Sequence, residues 1–432
     1  MITPCLKIAS QLQLTASSEV CSLTFFVTAE GSPRLAVGCK DLHRGFQVWD
    51  LADHLAAPQV LQTSRRDVSG PALDLSVSPL KDRFPLLASR HESAPCIVIW
   101  NLRNEGNHHD VMVLKPTFAD VGCVAMFTSF TGHRHLALGT GYGSLMLWDL
   151  EESLLEWQEA SDNDMEPQNE LDGGLSGSGG ISFLVAFKSS AGVPLLASRS
   201  FDLAVWNPMS PRNALLRILE IPDSETMPED QKDNYSTRCG NGPLIAFPSA
   251  GAMRLAAGTT DYRIAVFNPE IDGPPLHFIR CMYHVGCLAT LFTANGDPRL
   301  LASGDQAGIL SMWDPHDDAL LPVGSLTYMG WPFQDLYAWD SISDSSWSGS
   351  RVQINEMDMR AWFATFSGQR IRMYALHMSG EENHENGSVV EATTASDRHG
   401  TKRAREAADD GEVNLEADNE DVKIGSAISS QG

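Results

Sequence analysis

A pattern of six residues with an aromatic side chain at its fourth position recurs seven times along this sequence. The copies are FQVWDL (46–51), IVIWNL (97–102), LMLWDL (145–150), LAVWNP (203–208), IAVFNP (264–269), LSMWDP (310–315) and IRMYAL (371–376). A unit repeated along most of a chain indicates an architecture in which neighbouring units bury one another's apolar faces. We therefore expect the aromatic residues to be structural and to fill the packing between units; they are Trp49, Trp100, Trp148, Trp206, Phe267, Trp313 and Tyr374.

Each copy has the composition of one strand in a four-stranded unit. Shortly before each copy lies an apolar run that ends on small residues, such as PRLAVG (33–38), and the two runs predict a hairpin buried on both faces. A further strand is predicted upstream of each hairpin, from VCSLTFFV (20–27) in the first unit to VQINEMD (352–358) in the last. A fourth strand is predicted downstream at QVLQTS (59–64), DVMVLK (110–115), LLEWQEA (154–160), ALLRILE (214–220) and LHFIR (276–280).

These residues resemble the WD-repeat family of β-propellers over roughly residues 6–376. The family's Trp-Asp dipeptide is present at Trp49, Trp148 and Trp313, and it is relaxed to Trp-Asn or Phe-Asn in three other copies. The family's Gly-His dipeptide and its turn Asp are mostly missing, and Asp261 is the clear example of the turn Asp. The resemblance implies an all-β fold, namely a seven-bladed β-propeller made of four-stranded antiparallel blades.

The two ends of the repeat region are expected to meet. The seventh unit has no downstream strand, and a propeller with an incomplete last blade would leave strand edges unpaired. The run LKIASQLQL (6–14) precedes the first full unit, so we expect it to pair beside IRMYAL and close the ring. The predicted propeller spans residues 1–378, and a disordered acidic tail is predicted at 379–432.

Most of the excess negative charge lies in a few segments. The chain has 31 Lys and Arg against 55 Asp and Glu, which gives a net charge of −24. Residues 151–179 contain nine acidic residues and no basic one. We expect flexible, solvated acidic insertions at 151–180 and 220–242. Charge of this sign argues against nonspecific nucleic-acid binding and favours basic proteins as partners.

The sequence does not indicate a membrane protein or a secreted one. The longest apolar runs, such as FLVAF (183–187), are far shorter than the roughly 20 residues that a membrane-spanning helix needs. The first residues contain no apolar core of the kind found in signal peptides. The eight cysteines include no CxxC pair, and most lie in apolar runs, as buried reduced thiols do. We expect an intracellular protein of the cytoplasm, the nucleus or both.

No catalytic motif is present, so we expect a protein that is not an enzyme and that uses no cofactor and no metal. GTGYGS (139–144) is flanked by predicted strands, which favours a hairpin turn over a phosphate-binding loop. His133 and His135 could lie on one side of a strand, but no Cys or carboxylate follows at ligand spacing. We interpret them as loop histidines.

An aromatic-rich connection at 329–351 is the first candidate for partner binding. Its aromatic residues are Trp331, Phe333, Tyr337, Trp339 and Trp347. Aromatic side chains in a loop are typical of binding hot spots, because they bury a large area at a small cost in entropy. The alternative is that the segment folds back and covers the edge of a blade.

Two short motifs are further candidates. Trp100-Asn101-Leu102-Arg103 resembles the Trp-Asp-x-Arg box of propellers that act as substrate receptors of cullin–RING ubiquitin ligases, which makes Arg103 a candidate partner contact. Lys402, Arg403 and Arg405 form a short basic cluster similar to nuclear import signals. The alternative for both motifs is solvated charge.

Taken together, the patterns favour a non-catalytic scaffold or adaptor, a subunit of a complex with other proteins. A propeller fold does not determine function, because propellers include enzymes as well as binding modules. A ubiquitin-ligase substrate receptor is therefore one alternative. An enzyme with catalytic residues dispersed along the channel is an alternative of a different class.

Overall fold

The computed structural model describes part of the chain, and the structural statements below refer to that part. It comprises residues 5–28, 32–42, 45–53, 55–63, 65, 68–78, 85–91, 96–102, 110–116, 121–159, 167–171, 180–200, 202–210, 213–221, 242–249, 251–259, 261–281, 285–292, 298–304, 309–313, 324–327, 336–340, 361–367 and 369–379. All of these residues belong to one compact unit, Met1–Glu382.

The described strands begin with β1 (Cys5–Thr15), and the next twelve form three antiparallel sheets of four strands each. Sheet 1 contains β2 (Val20–Val27), β3 (Pro33–Cys39), β4 (Gly45–Asp50) and β5 (Gln59–Gln62). Sheet 2 contains β6 (Ala72–Val77), β7 (Leu86–His91), β8 (Ile97–Asn101) and β9 (Asp110–Leu114). Sheet 3 contains β10 (Val121–Thr128), β11 (Arg134–Thr140), β12 (Leu145–Asp149) and β13 (Asn169–Leu171).

The remaining strands repeat this plan. Sheet 4 contains β14 (Phe183–Lys188), β15 (Pro194–Arg199), β16 (Leu203–Trp206) and β17 (Leu215–Leu219). Sheet 5 contains β18 (Leu244–Ser249), β19 (Ala252–Gly258), β20 (Arg263–Phe267) and β21 (His277–Arg280). Sheet 6 contains β22 (Val285–Phe292), β23 (Pro298–Gly304), β24 (Ile309–Trp313) and β25 (Gly324–Thr327). Sheet 7 contains β26 (Leu336–Asp340), β27 (Ala361–Ser367) and β28 (Arg370–Ser379), with β1 as its fourth strand. The prediction of an all-β chain of four-stranded antiparallel sheets is confirmed.

Sheet 7 is the sheet that joins distant parts of the chain. The strand β1 pairs antiparallel with β28, so that Leu12 lies opposite Met373 and Leu14 opposite Ile371. The predicted pairing of the run 6–14 beside IRMYAL is therefore observed. Sheet 7 depends on residues at both ends of the described chain, whereas sheets 1 to 6 are each built from consecutive strands.

The first strands of the sheets contact one another in chain order. β2 contacts β6, β6 contacts β10, and the series continues through β14, β18 and β22 to β26, which also contacts β2. The hydroxyl of Ser22 donates to the carbonyl of Ala72 at 2.7 Å and joins β2 to β6. A Cβ atom built on Gly38 would lie 2.2 Å from that same carbonyl oxygen, so the close approach of sheets 1 and 2 requires glycine there.

The apolar core lies between neighbouring sheets, and the repeat aromatics lie within it. Trp100, Trp148 and Trp206 are fully buried, and Trp49, Phe267 and Trp313 are nearly so. Phe46 of sheet 1 and Trp100 of sheet 2 pack in a T-shaped arrangement, with ring centroids 5.1 Å apart. Trp206 of sheet 4 packs in one cluster with Leu145 of sheet 3. These side chains occupy the positions between units that the repeat predicts, while the side chain of Tyr374 lies outside the described residues.

The segment LLEWQEA (154–160) does not form the predicted fourth strand of sheet 3. A helix, α1 (Leu150–Glu159), includes most of it, and the fourth strand is β13. Asp149 caps the helix, because its Oδ1 accepts from the amides of Glu151 at 2.9 Å and Glu152 at 3.2 Å. Leu150 and Leu154 lie four residues apart and pack on the same core cluster. The expectation that 151–180 is wholly flexible is therefore wrong for α1 and β13.

The first strand of sheet 7 also differs from the prediction. The sheet uses Leu336–Asp340, within the aromatic-rich connection, and VQINEMD (352–358) lies outside the described residues. The strand LYAWD pairs with β27, with Trp339 opposite Trp362. Its composition of Leu, Tyr, Ala and Trp is rich in residues that favour strands, which is the signal that the loop interpretation overlooked.

Candidate partner-binding surface

Most of the residues predicted to bind partners lie outside the described residues. This holds for Arg103, Trp331, Phe333 and Trp347, and the predicted nuclear-import cluster of Lys402, Arg403 and Arg405 lies outside them as well. Tyr337 and Trp339 lie in β26, so their backbone forms part of sheet 7. Within the described part of the chain, no group of three or more His, Cys, Asp and Glu residues could hold a metal ion. No described helix has the length and apolar character needed to cross a membrane.

A prominent exposed aromatic side chain lies at one end of sheet 3. In every sheet, we call the end that carries the turn between the first and second strands the lower end, and the opposite end the upper end. In sheet 3 this turn is residues 129–133, here named the Phe130 turn, and Phe130 is 77% exposed. The third and fourth strands are joined at the same end, so α1 also begins there. Sequence reasoning missed Phe130, although an aromatic residue in an otherwise polar turn was visible.

The backbone of the Phe130 turn is held by several hydrogen bonds. The amide of Ser129 donates to the carbonyl of His133 at 2.9 Å, and the amide of Gly132 donates to the carbonyl of Ser129 at 3.1 Å. The hydroxyls of Ser129 and Thr131 lie 2.7 Å apart. Gly132 has a φ of +84°, a conformation that glycine adopts without strain. The turn therefore presents Phe130 from a fixed backbone.

Contacts of His133, Arg134 and His135 connect the Phe130 turn and the start of β11 to Asp149 and Glu151 at the start of α1. His133 Nδ1 lies 2.8 Å from Asp149 Oδ2, and His135 Nε2 lies 4.0 Å from the same oxygen. Arg134 is 1% exposed and donates to Glu151 through Nε at 2.6 Å and Nη2 at 3.2 Å. The sequence placed His133 and His135 in a loop with no carboxylate nearby. The fold supplies Asp149 across the hairpin, and His135 itself lies in β11.

The electrostatics at this end of sheet 3 favour the ionised form of Asp149. Burial raises the pKa of Asp149, but hydrogen bonds from His133 and from the amide of Glu152 outweigh it and hold the pKa below its usual value. Burial lowers the pKa of His135. Gln168 donates to Glu152 at 3.1 Å and accepts from the amide of Asp149 at 2.8 Å. The arrangement fixes several acidic side chains at the edge of the sheet.

Sheet 4 contains a turn with the same bonding at its lower end. The amide of Ser189 donates to the carbonyl of Val193 at 2.8 Å, and Gly192 donates to Ser189 at 2.9 Å with a φ of +77°. Ser190 takes the place that Phe130 takes in sheet 3. Its amide and hydroxyl both donate to the carboxylate of Glu270 in sheet 5, the hydroxyl at 2.6 Å. This turn is therefore fastened to the neighbouring sheet.

A buried hydrogen-bonded chain lies at the opposite, upper end of sheet 2. Trp100 Nε1 donates to the hydroxyl of Ser89 at 2.8 Å, and that oxygen lies 3.0 Å from His91 Nε2. His91 Nδ1 lies 3.1 Å from the carbonyl oxygen of Gly70, which can only accept, so the ring proton is on Nδ1 and Nε2 accepts from Ser89. Burial lowers the pKa of His91. A neutral, fully engaged imidazole of this kind is structural.

The predicted hairpin turn within GTGYGS is confirmed and carries a second exposed aromatic side chain. Residues 141–144 join β11 to β12, and the amide of Gly143 donates to the carbonyl of Thr140 at 3.2 Å. Tyr142 is 72% exposed. Because this turn joins the second and third strands, Tyr142 lies at the upper end of sheet 3, opposite Phe130.

Comparison with known proteins bears on the fold. No protein-family model matches the sequence. No curated protein matches it either. A solved structure to which the chain is similar is Raptor from Chaetomium thermophilum, with 12% identity and a TM-score of 0.56. The match covers 85% of this chain and 29% of the Raptor chain, so this chain corresponds to less than a third of that protein. The likeness and the four-stranded sheets fit a β-propeller.

Proposed function

We propose that the sheets are the blades of a single closed, seven-bladed propeller of the WD-repeat type, and that this propeller is a non-catalytic interaction subunit of a multiprotein complex. Support for the closed ring comes from two observations. The first strands contact one another in order, with β26 returning to β2. The strand β1 pairs with β28 and completes sheet 7.

Removing β1 tests the closed ring. Deletion of residues 1–15 leaves β28 with an unpaired edge, and we expect the melting temperature to fall far more than the loss of a peripheral strand would cause. Thermal unfolding followed by circular dichroism measures this effect. A truncated chain that melts at the temperature of the full chain would contradict closure.

The interaction role rests on a contrast between two sets of side chains. Those between neighbouring sheets are buried, whereas large side chains at the turns are exposed. Clusters of fully buried residues join neighbouring sheets, as between sheets 1 and 2 and between sheets 3 and 4. Phe130 and Tyr142 nevertheless project from hydrogen-bonded turns into solvent. Stacked sheets hold such turns in place, so a partner that docks on them loses little conformational entropy in the process.

Affinity purification of the tagged full chain, followed by mass spectrometry, tests the interaction role. We expect a defined set of proteins to co-purify, rich in basic segments because of the acidic insertions, and we expect their recovery to fall as salt is raised. A chain that purifies alone from every lysate tested would contradict the role. Recovery of cullin adaptors that is lost in Arg103→Ala would favour the ubiquitin-ligase alternative.

A further inference from the structure

We infer that the lower end of sheet 3 binds a basic, arginine-containing segment of a partner protein. This site, here named the sheet 3 surface, consists of Phe130, Asp149 and Glu152. The inference rests on the proposed interaction role and specifies where a partner docks and what chemistry it carries. It goes beyond a general attraction between acidic insertions and basic proteins, because it assigns the contact to one turn and one helix start.

The fold itself does not require an aromatic residue at position 130. The turn at 189–193 has the same backbone hydrogen bonds and the same left-handed glycine, and it carries Ser190 at the equivalent position. Phe130 is 77% exposed, so its ring contributes little to the core. A large ring displayed by a turn that folds equally well with serine is the kind of anchor that binding hot spots use.

The charge next to Phe130 determines the kind of partner. Glu152 is exposed and held by Gln168, and Asp149 lies beside His133 of the same turn. Arg134, the neighbouring cation, is buried and engaged with Glu151. The chain that continues from this surface is acidic in sequence, because residues 151–179 contain nine acidic residues and no basic one. A cationic partner therefore complements the negative charge beside Phe130.

Sheet 4 provides an internal contrast in charge as well. The last residue of its first strand, directly before the turn, is the exposed Lys188, whereas the corresponding residue of sheet 3 is Thr128. The acidic side chain near that turn, Glu270, is occupied by Ser190. Sheet 3 thus has an exposed ring and the exposed Glu152 at its lower end, whereas the turn of sheet 4 has no ring and is bonded to the carboxylate beside it.

Arginine matches both parts of the sheet 3 surface. A guanidinium group stacks on an aromatic face through its planar, weakly hydrated cation. The same group donates paired hydrogen bonds to a carboxylate in a fixed fork. One arginine on Phe130 and a second on Glu152 would place an extended basic segment along the start of α1.

A binding measurement with a defined probe tests this inference. The probe is a fluorescent peptide of alternating arginine and glycine, titrated with the full chain and followed by anisotropy; a peptide with glutamine in place of arginine is the control. We expect Phe130→Ala to weaken binding about two- to fivefold, as loss of an exposed cation–π contact predicts. Phe130→Trp should retain or increase the affinity, because indole is the better cation–π face.

Matched variants at the upper ends of sheets 3 and 4 separate this surface from general attraction to an acidic protein. Tyr142→Ala removes an equally exposed ring, and Asp202→Asn removes an exposed charge, and neither should change binding. Glu152→Gln should weaken binding and reduce its dependence on salt. Equal losses for Phe130→Ala and Tyr142→Ala, or no loss for either, would overturn the inference.

The same variants distinguish failure of the inference from failure of the proposed function. If proteins co-purify with the chain and Phe130→Ala leaves both the peptide affinity and their recovery unchanged, the sheet 3 surface is wrong while the interaction role stands. If the peptide binds as expected but no protein co-purifies, the interaction role is contradicted.

Discussion

Sheets 3 and 4 are built on one plan and use their lower ends differently. Each has four antiparallel strands, a fully buried repeat tryptophan and a first turn closed by the same hydrogen bonds. In sheet 4 the turn is bonded to Glu270 of sheet 5. In sheet 3 the equivalent turn displays Phe130 and is bonded instead to the residue that caps α1. The comparison teaches that the fold needs the turn but not the aromatic ring, which leaves the ring available for a partner.

The largest expected difference between the two sheets concerns their arginines. Arg134 of sheet 3 is 1% exposed and paired with Glu151, so Arg134→Ala should cost about 3 kcal/mol in the free energy of unfolding. Arg217 of sheet 4 pairs with Asp272, which is 85% exposed, so Arg217→Ala should cost about 1 kcal/mol or less. Urea denaturation of both variants measures the difference. Equal losses would mean that the two ends are fastened alike.

Two serines of sheet 4 extend the same comparison, with smaller expected losses in the free energy of unfolding. Ser198 accepts from Trp206 Nε1 at 2.7 Å in the core, so Ser198→Ala leaves a buried donor unpaired and should cost about 2 kcal/mol. Ser190 is exposed and its amide bond to Glu270 remains in the variant, so Ser190→Ala, which removes only the hydroxyl bond, should cost about 1 kcal/mol or less. The free energies of unfolding from denaturant titrations give both values. A larger loss at Ser190 would show that the fastening to sheet 5 matters more than the core contact.

Acid should remove stabilising contributions at the lower ends of both sheets. Burial raises the pKa of Asp149, but hydrogen bonds from His133 and the amide of Glu152 prevail and lower it, and bonds from Ser190 lower the pKa of Glu270. The unfolded values are about 3.9 and 4.3, so each ionised group stabilises the fold above those values and the contribution disappears as pH falls through the folded pKa. The melting temperatures of Asp149→Asn and Glu270→Gln should therefore approach that of the wild type as pH falls below about 4. A gap that widens in acid would contradict these pKa directions.

The smallest expected effect on stability is at the displayed ring itself. Phe130→Ser gives sheet 3 the residue that sheet 4 has at the same place, and it should change the free energy of unfolding by less than about 0.5 kcal/mol. The same variant should reduce recovery of co-purifying proteins. A loss of stability above about 1 kcal/mol would mean that the ring packs on the fold and is not held ready for a partner.

The repeat made the sheets predictable from sequence, because each unit repeats an apolar run that ends on small residues and a second run that ends on an aromatic residue. VCSLTFFV coincides with β2, residue for residue. The prediction was wrong where a local signal competed with the repeat. In LLEWQEA the cap at Asp149 and the spacing of Leu150 and Leu154 favour a helix over a strand.

The candidate surface was less predictable, because its parts come together only through the fold. His133 and Asp149 are sixteen residues apart and meet across the hairpin of β11 and β12. The role of Phe130 emerges only when its turn is set beside the matching turn of sheet 4. In the sequence, five aromatic residues cluster at 329–351, whereas Phe130 is a single aromatic residue in a short turn. The cluster was therefore the more visible candidate.

Hydrogen exchange followed by mass spectrometry, on the full chain with and without its co-purified partner, tests the central claim most directly. The account predicts that binding slows exchange in residues 129–133 and at the start of α1, while residues 189–193 stay unchanged. Slower exchange at 189–193 or at the upper turn 141–144, with none at 129–133, would contradict it.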